Sequence, residues 1–292
     1  MKLEDNLQAH GFQALLPKFP GVRARSILAP LVLLSLFSCS GVAEPAAPSG
    51  KIELSQFEPS FEENFDSLDV SEWGCLSRWI AHTPWAGDFG DARFKAPGPG
   101  HPFTISNGIL SIEARKTSDG SWESGMLSSW DACNSGFAQK YGYFEIRTRL
   151  PSAPGFWPSF WLVGVDKRQG TAEIDVFEYL THNPDKLSLG IHKHPRNQTE
   201  TRKTFATRHE IEPGSLGGKF NTYGVEVTPD IVVFYLNRRE IWRTPMLEEF
   251  RQPMYMLISF PTDTGQMDAS TPQSVAMEID YVRAYQRKPI GF

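Results

Sequence analysis

Apolar and polar residues alternate in short runs along most of the chain, with Gly, Pro and Asn between them. The runs are Phe103–Ile105, Ile109–Arg115, Gly142–Leu150, Phe160–Val165, Glu173–Tyr179, Leu187–His192, Tyr223–Thr228, Ile231–Leu236, Met254–Phe260 and Val275–Gln286. Alternation with a period of two predicts strands with one face toward a core. Helical periodicity is scarce, so the expected class is all-β, a sandwich or a barrel. Asn107-Gly108 signals a turn, and Leu236-Asn237-Arg238-Arg239-Glu240 a hairpin.

One run breaks the alternation in an informative way. Ala172-Glu-Ile-Asp-Val-Phe-Glu-Tyr179 places Glu173 and Asp175 on one face of a strand. Glu178 is five residues after Glu173 and falls on the other face of a regular strand. A β-bulge near Val176-Phe177 returns it, leaving Ile174 and Phe177 toward the core. Three crowded acids raise the proton affinity of at least one of them. That suits a site needing one ionised and one protonated carboxyl near neutral pH. A solvated strand face is the competing reading of the same spacing.

Two upstream segments join this strand: Tyr141-Gly-Tyr-Phe-Glu-Ile-Arg-Thr-Arg-Leu-Pro151 and Gly155-Phe-Trp-Pro-Ser-Phe-Trp-Leu162. Together the three resemble family 16 of the glycoside hydrolases, the laminarinases, lichenases and agarases. The resemblance runs from about Phe61 to Gln286. The Glu-x-Asp-x-x-Glu spacing is that of the laminarinase and agarase branches; lichenases use Glu-x-Asp-x-Glu. The resemblance implies a β-jelly-roll sandwich of two curved antiparallel sheets with a concave substrate cleft. It implies an exported, endo-acting, retaining β-glycanase on a β-linked polysaccharide: a β-glucan first, a galactan or bacterial exopolysaccharide as alternatives. By position Glu173 is the nucleophile and Glu178 the acid/base, with Asp175 between them sharing the proton inventory. Such a reaction needs no cofactor.

The resemblance also nominates binding residues. Trp157 and Trp161 are four apart on a strand, and Trp157 is the expected sugar platform. His192 falls where relatives often carry a cleft histidine; His182 and His194 receive no role. The stretch Trp85–Phe94 departs from the family's Asn-Glu pattern. Asp91 and Arg93 are its candidates for sugar hydroxyls, with a loop ion pair as the alternative. Met277–Tyr285 matches the family's closing strand, where some members hold a structural calcium. Here Asp280 would supply the side chain, and Gly108 and Asn64 backbone carbonyls.

Composition narrows the classes. With 292 residues, 40% hydrophobic, and no second linker, one large domain is expected. A net charge of −5 without a Lys/Arg-rich run gives a nucleic-acid partner no electrostatic support. Arg23 and Arg25 precede Ile27–Phe37, an apolar run too short to span a membrane comfortably, and small residues follow. The expected organisation is a signal segment over 1–43, a Pro/Ala linker over 44–50 and a catalytic domain over 51–288. Cleavage after Ala43 makes the protein secreted or periplasmic. Leu36-Phe-Ser-Cys39 resembles a bacterial lipobox with an atypical Phe37, and processing there anchors Cys39 in the outer membrane. Cys75 and Cys133 form a disulfide or remain two buried thiols. No Cys/His cluster has zinc spacing. The rival functions are a transglycosylase on the same fold, a non-catalytic carbohydrate-binding protein and a structural lipoprotein.

Overall fold

The computed structural model describes residues 50–85 and 87–289. The signal segment, most of the linker and Cys39 lie outside the described residues. Two large, mostly antiparallel sheets stack face to face. In the ten-stranded sheet the order runs Arg239–Pro245, Ile231–Leu236, Phe220–Val227, Gly142–Arg149, Ser274–Arg287, Ile109–Lys116, Trp122–Ser124, Ala92–Phe94. Phe57–Glu63 and Phe103–Ser106 pair onto it at the sides. In the nine-stranded sheet the order is Lys203–Glu210, Lys186–His194, Thr171–Glu178, Ser159–Gly164, Met254–Ser259, Met126–Ser128, Trp79–Ile80, Val70–Ser71, with Ala138–Gln139 beside Met254–Ser259. This is the expected sandwich.

The alternation explains the stacking. Phe144 and Ile146 from one sheet, and Leu162, Ile174 and Ile258 from the other, meet in a single core with Phe177 and Tyr223. Each such side chain contributes about 2–3 kcal/mol when removed from water. Ser159–Gly164 and Met254–Ser259 are buried at every position. Their second face carries another apolar cluster of Trp161, Val163, Tyr255 and Leu257, with Phe94 and Met126. Strands covered on both faces read as continuous apolar runs, as Phe160–Val165 and Met254–Phe260 do.

Both predicted turns form. Asn237 and Arg238 have φ of 51° and 62°, and Asn107 and Gly108 of 52° and 72°, the left-handed pairs of two-residue hairpins. The strand Lys203–Glu210 was not expected from the pattern. It lies at the sheet edge and buries no residue, so no alternation marks it. Cys75 and Cys133 are disulfide-bonded, with Cα atoms 5.7 Å apart across 58 residues of sequence. Both are exposed, so the reading as buried free thiols is corrected. In chain-entropy terms a loop of that length is worth about 4 kcal/mol.

Candidate active site

The acid strand Thr171–Glu178 carries the bulge. Asp175 pairs with Trp161 on one side and Gly190 on the other, whereas Phe177 pairs with Phe160 and Glu178 with Ser159 and Ser188. Val176 is the extra residue. Val176 and Phe177 both join the core between the sheets. Glu178 therefore returns to the face of Glu173 and Asp175. The register then builds three rows across the sheet. One runs Tyr255, Val163, Glu173, His192, Thr204; the next Leu257, Trp161, Asp175, Gly190, Ala206; the third Ser259, Ser159, Glu178, Ser188, Arg208.

Each acid has its own partner. His194 Nε2 lies 2.9 Å from Glu173 Oε1, and His192 Nε2 lies 3.0 Å from Asp175 Oδ2. The Trp157 indole N–H donates to Glu178 Oε1 at 3.1 Å. On its other side His192 Nδ1 is 3.4 Å from Arg202 Nη2 and 3.1 Å from Thr204 Oγ1. A guanidinium only donates, so Nδ1 accepts, and the ring proton sits on Nε2 and points to Asp175. Burial lowers the His192 pKa from the usual histidine value; Glu173 opposes and Arg202 adds to the effect. Gly190 makes the contact sterically feasible. A Cβ there would stand 2.6 Å from His192 Nε2, so the imidazole reaches Asp175 across a bare backbone.

Burial and the repulsion of neighbours decide the protons. Asp175 is pushed well above the carboxylate range by burial first and by Glu173 second, against the pull of Arg202. Glu178 is raised to about 8 by burial, then by Asp175 and Glu173, with His192 and the Trp157 hydrogen bond opposing. The face thus favours the proton on Asp175 and Glu178, on either side of the bulge, with Glu173 beside them at hydrogen-bond distance from His194.

The sequence profile of glycosyl hydrolases family 16 matches residues 93–283. The chain belongs to glycosyl hydrolase family 16. It is 28% identical over 257 residues to the endo-1,3-1,4-β-glycanase ExsH of Rhizobium meliloti, covering 80% of this chain and 53% of that protein. It is 29% identical over 265 residues to the endo-1,3-1,4-β-glycanase EglC of the same organism, with the same coverages of 80% and 53%. The chain thus spans about half the length of these relatives. Among solved structures, SCLam, a non-specific endo-β-1,3(4)-glucanase of family 16, superposes with a TM-score of 0.66 at 24% identity, covering 83% of this chain and 96% of that one.

The other family-16 candidates separate into those the fold gathers and those it does not. Trp157 is half-buried beside Glu178, and Trp161 lies in the acid row, its indole N–H donating to Ser259 Oγ at 3.1 Å. Phe89 packs edge-on against both, at 6.1 and 5.7 Å between ring centres. Trp85, 49% exposed, stands edge-on to Trp161 at 6.3 Å. Trp130 stacks on Tyr255 at 6.2 Å. The acids are thus flanked on one side by an aromatic floor and on the other by the two histidines.

Asp91 and Arg93 are corrections. Asp91 Oδ2 accepts from Thr264, at 2.7 Å from the backbone N–H and 2.6 Å from the hydroxyl. In the strand Ala92–Phe94 the flanking residues are buried, and Arg93 points the opposite way. It meets Ser121 Oγ at 3.3 Å and Glu123 Oε1 at 3.5 Å. Protein partners occupy both side chains, and the two do not pair with each other. The calcium expectation fails a similar test. The Asp280 carboxylate is paired with Arg147, and Asn64 Oδ1 accepts from Arg283 Nη2 at 3.1 Å. A guanidinium thus stands on the one charged ligand expected for a cation that needs about six to eight oxygens, so Asp280 does not fit a calcium alongside the Asn64 and Gly108 carbonyls.

Sequence reasoning passed over His194, Gly190, Arg202 and Ser259. Only His194 carried a signal: two residues after His192, it shares that residue's face.

Proposed function

We propose that the chain is a retaining, endo-acting β-glycanase that hydrolyses a β-glucan. The observation that carries this reading is the bulge at Val176, which sets Glu173, Asp175 and Glu178 on one face with the proton on the right partner. The names of its family-16 relatives supply the substrate class.

Glu178 enters the reaction protonated and gives its proton to the glycosidic oxygen as the bond to the anomeric carbon breaks. Glu173, on the same face, attacks that carbon from the other side and forms a glycosyl ester. Water then attacks the ester carbon; Glu178, now a carboxylate, takes its proton, and Glu173 leaves. Asp175 lies between the two acids, carries the His192 hydrogen bond and exchanges charge with them as the proton moves. Trp157, half-buried, and Trp85, exposed, offer indole faces that suit the apolar faces of sugar rings, with Trp161 buried beside them. The chemistry uses no cofactor.

The test uses an activated aryl β-glycoside. Glu178→Gln should retain the first step, because the leaving group departs without a proton, and added azide should raise its turnover, giving a product with retained configuration. Glu173→Gln should be inactive on every substrate, since an amide forms no glycosyl ester. Azide rescue of Glu173→Gln with retained configuration, and none of Glu178→Gln, would exchange the two roles; an inverted azide product from Glu173→Gln would instead support Glu173 as the nucleophile. Near-normal activity of both variants on polymer would refute the reading.

A further inference from the structure

The aromatic half of the groove holds a cation that hydrolysis does not use. Lys167 lies in the turn between Ser159–Gly164 and the acid strand, its carbonyl accepting from Gly170 N–H at 3.1 Å. Its ammonium stands 5.5 Å from the centre of the Trp85 ring and 5.5 Å from that of Tyr255. Among the described residues no carboxylate lies within 4.0 Å of it. Its neighbour Asp166 is taken by Arg168 at 2.6 Å, and Glu173 is taken by His194 at 2.9 Å. Protein atoms displace water from around the ammonium and lower it to about 8, while Glu173 opposes. Lys167 is exposed and Trp85 is 49% exposed, so both are open to a ligand.

The register fixes how near this is to the chemistry. Tyr255 lies in the row of Glu173, two strands away, which is about 10 Å. A sugar unit stacked on Trp85 would therefore sit within a unit or two of the bond being broken. A partly dehydrated ammonium over two ring faces is held by their quadrupoles, and its charge remains open to an anion. Arg202, on the far side of Glu173, has His192 and, among the described residues, no carboxylate within 4.0 Å. The groove therefore offers positive charge on both sides of its acids, in a chain whose net charge is −5.

We propose that the groove is built for an acidic β-glycan, with Lys167 receiving an anionic substituent, a carboxylate or a sulfate, on a sugar unit stacked against Trp85. This rests on the hydrolase reading of the three acids and names its substrate class.

The test separates binding from cleavage. Retention in native gels containing lichenan, carboxymethyl-lichenan or sulfated lichenan is compared for the Glu178→Gln protein, with and without Lys167→Met or Lys167→Arg. Reducing-end release by the protein with all acids intact is followed on the same polymers. The expected result is about five-fold tighter binding of an acidic polymer at low salt, the scale of one accessible ion pair. Lys167→Met should lose that advantage and Lys167→Arg keep it, with neutral lichenan bound alike by all. The derivative held more tightly identifies the substituent. Equal retention of the three polymers, retention of none, or equal weakening of neutral and acidic polymers by Lys167→Met overturns the proposal. Cleavage without an acidic preference overturns it and leaves the hydrolase reading standing; preference without cleavage upholds it and removes the hydrolase reading.

Discussion

Each sheet buries carboxylates, and the two sheets treat them differently. In the ten-stranded sheet Glu145 is 0% exposed and receives four donors. Arg238 approaches it through Nε and Nη2, both at 2.9 Å, and the hydroxyls of Tyr143 and Tyr281 donate at 2.8 Å. In the nine-stranded sheet Asp175 has one imidazole at 3.0 Å and Glu178 one indole at 3.1 Å. A charge-assisted, bidentate partner with two hydroxyls uses the acceptor sites of Glu145 and ties two strands to a hairpin turn. A single neutral donor leaves Glu178 with most of its desolvation cost, and the proton stays on. Burial alone therefore does not distinguish a structural acid from a reactive one; the partners do.

The largest effect should separate the two acids completely. Glu178→Gln should lower kcat on polymer by about 10³-fold. The same change should stabilise the fold. The folded Glu178 value is about 8 against an ordinary 4.5, so between those pH values the folded chain keeps a proton that the unfolded chain releases. Stability from this group is thus lost as pH rises from about 4.5 to about 8, and an amide removes the loss, a gain on the order of 2 kcal/mol at pH 7. Glu145→Gln should do the reverse, keeping kcat within about two-fold and losing about 2 kcal/mol, a figure reduced because Arg238 is 34% exposed and reaches water. Denaturant melts at pH 5 and 7 with parallel rate assays check both. Equal losses of rate and stability in both variants would break the comparison. In the unaltered protein kcat/KM should fall as pH rises through about 8.

A smaller effect is expected at Gly190, which tests whether the single donor to Asp175 matters. Gly190→Ala drives a methyl group against His192 Nε2 and should lower kcat/KM about ten-fold, with its pH profile displaced. An unchanged profile would make the His192 contact incidental. The smallest effect is expected at Asp280. Because Arg147 already neutralises it, adding calcium or EDTA should move Tm by less than about 1 °C. A rise of several degrees with calcium would show that the ion displaces the guanidinium.

What the chain discloses before folding follows from the range of each interaction. The bulge was legible, because the five-residue step from Glu173 to Glu178 among Ile174, Val176 and Phe177 admits one local solution. The Asn237-Arg238 turn was legible for the same reason. Asp91 was misread because its partner Thr264 is 173 residues away. The Asp280–Arg147 pair depends on a cross-strand register that places Arg147 opposite Tyr281. The Cys75–Cys133 bond depends on a distance between two loops. Lys203–Glu210 stayed invisible because a strand that buries nothing leaves no pattern. That strand, with the arginine just before it, holds His192 in the tautomer that serves Asp175.

The outermost position of that strand has a kinetic consequence. Lys203–Glu210 is hydrogen-bonded along one side only, and fraying there opens few apolar contacts, so its amides should exchange with solvent well before those of the central strands. When it peels away, Thr204 and Arg202 leave His192, and the imidazole is free to turn its proton elsewhere while the sandwich stays shut. On the hydrolase reading, activity should then fall below the temperature of global melting, while the protein still looks folded.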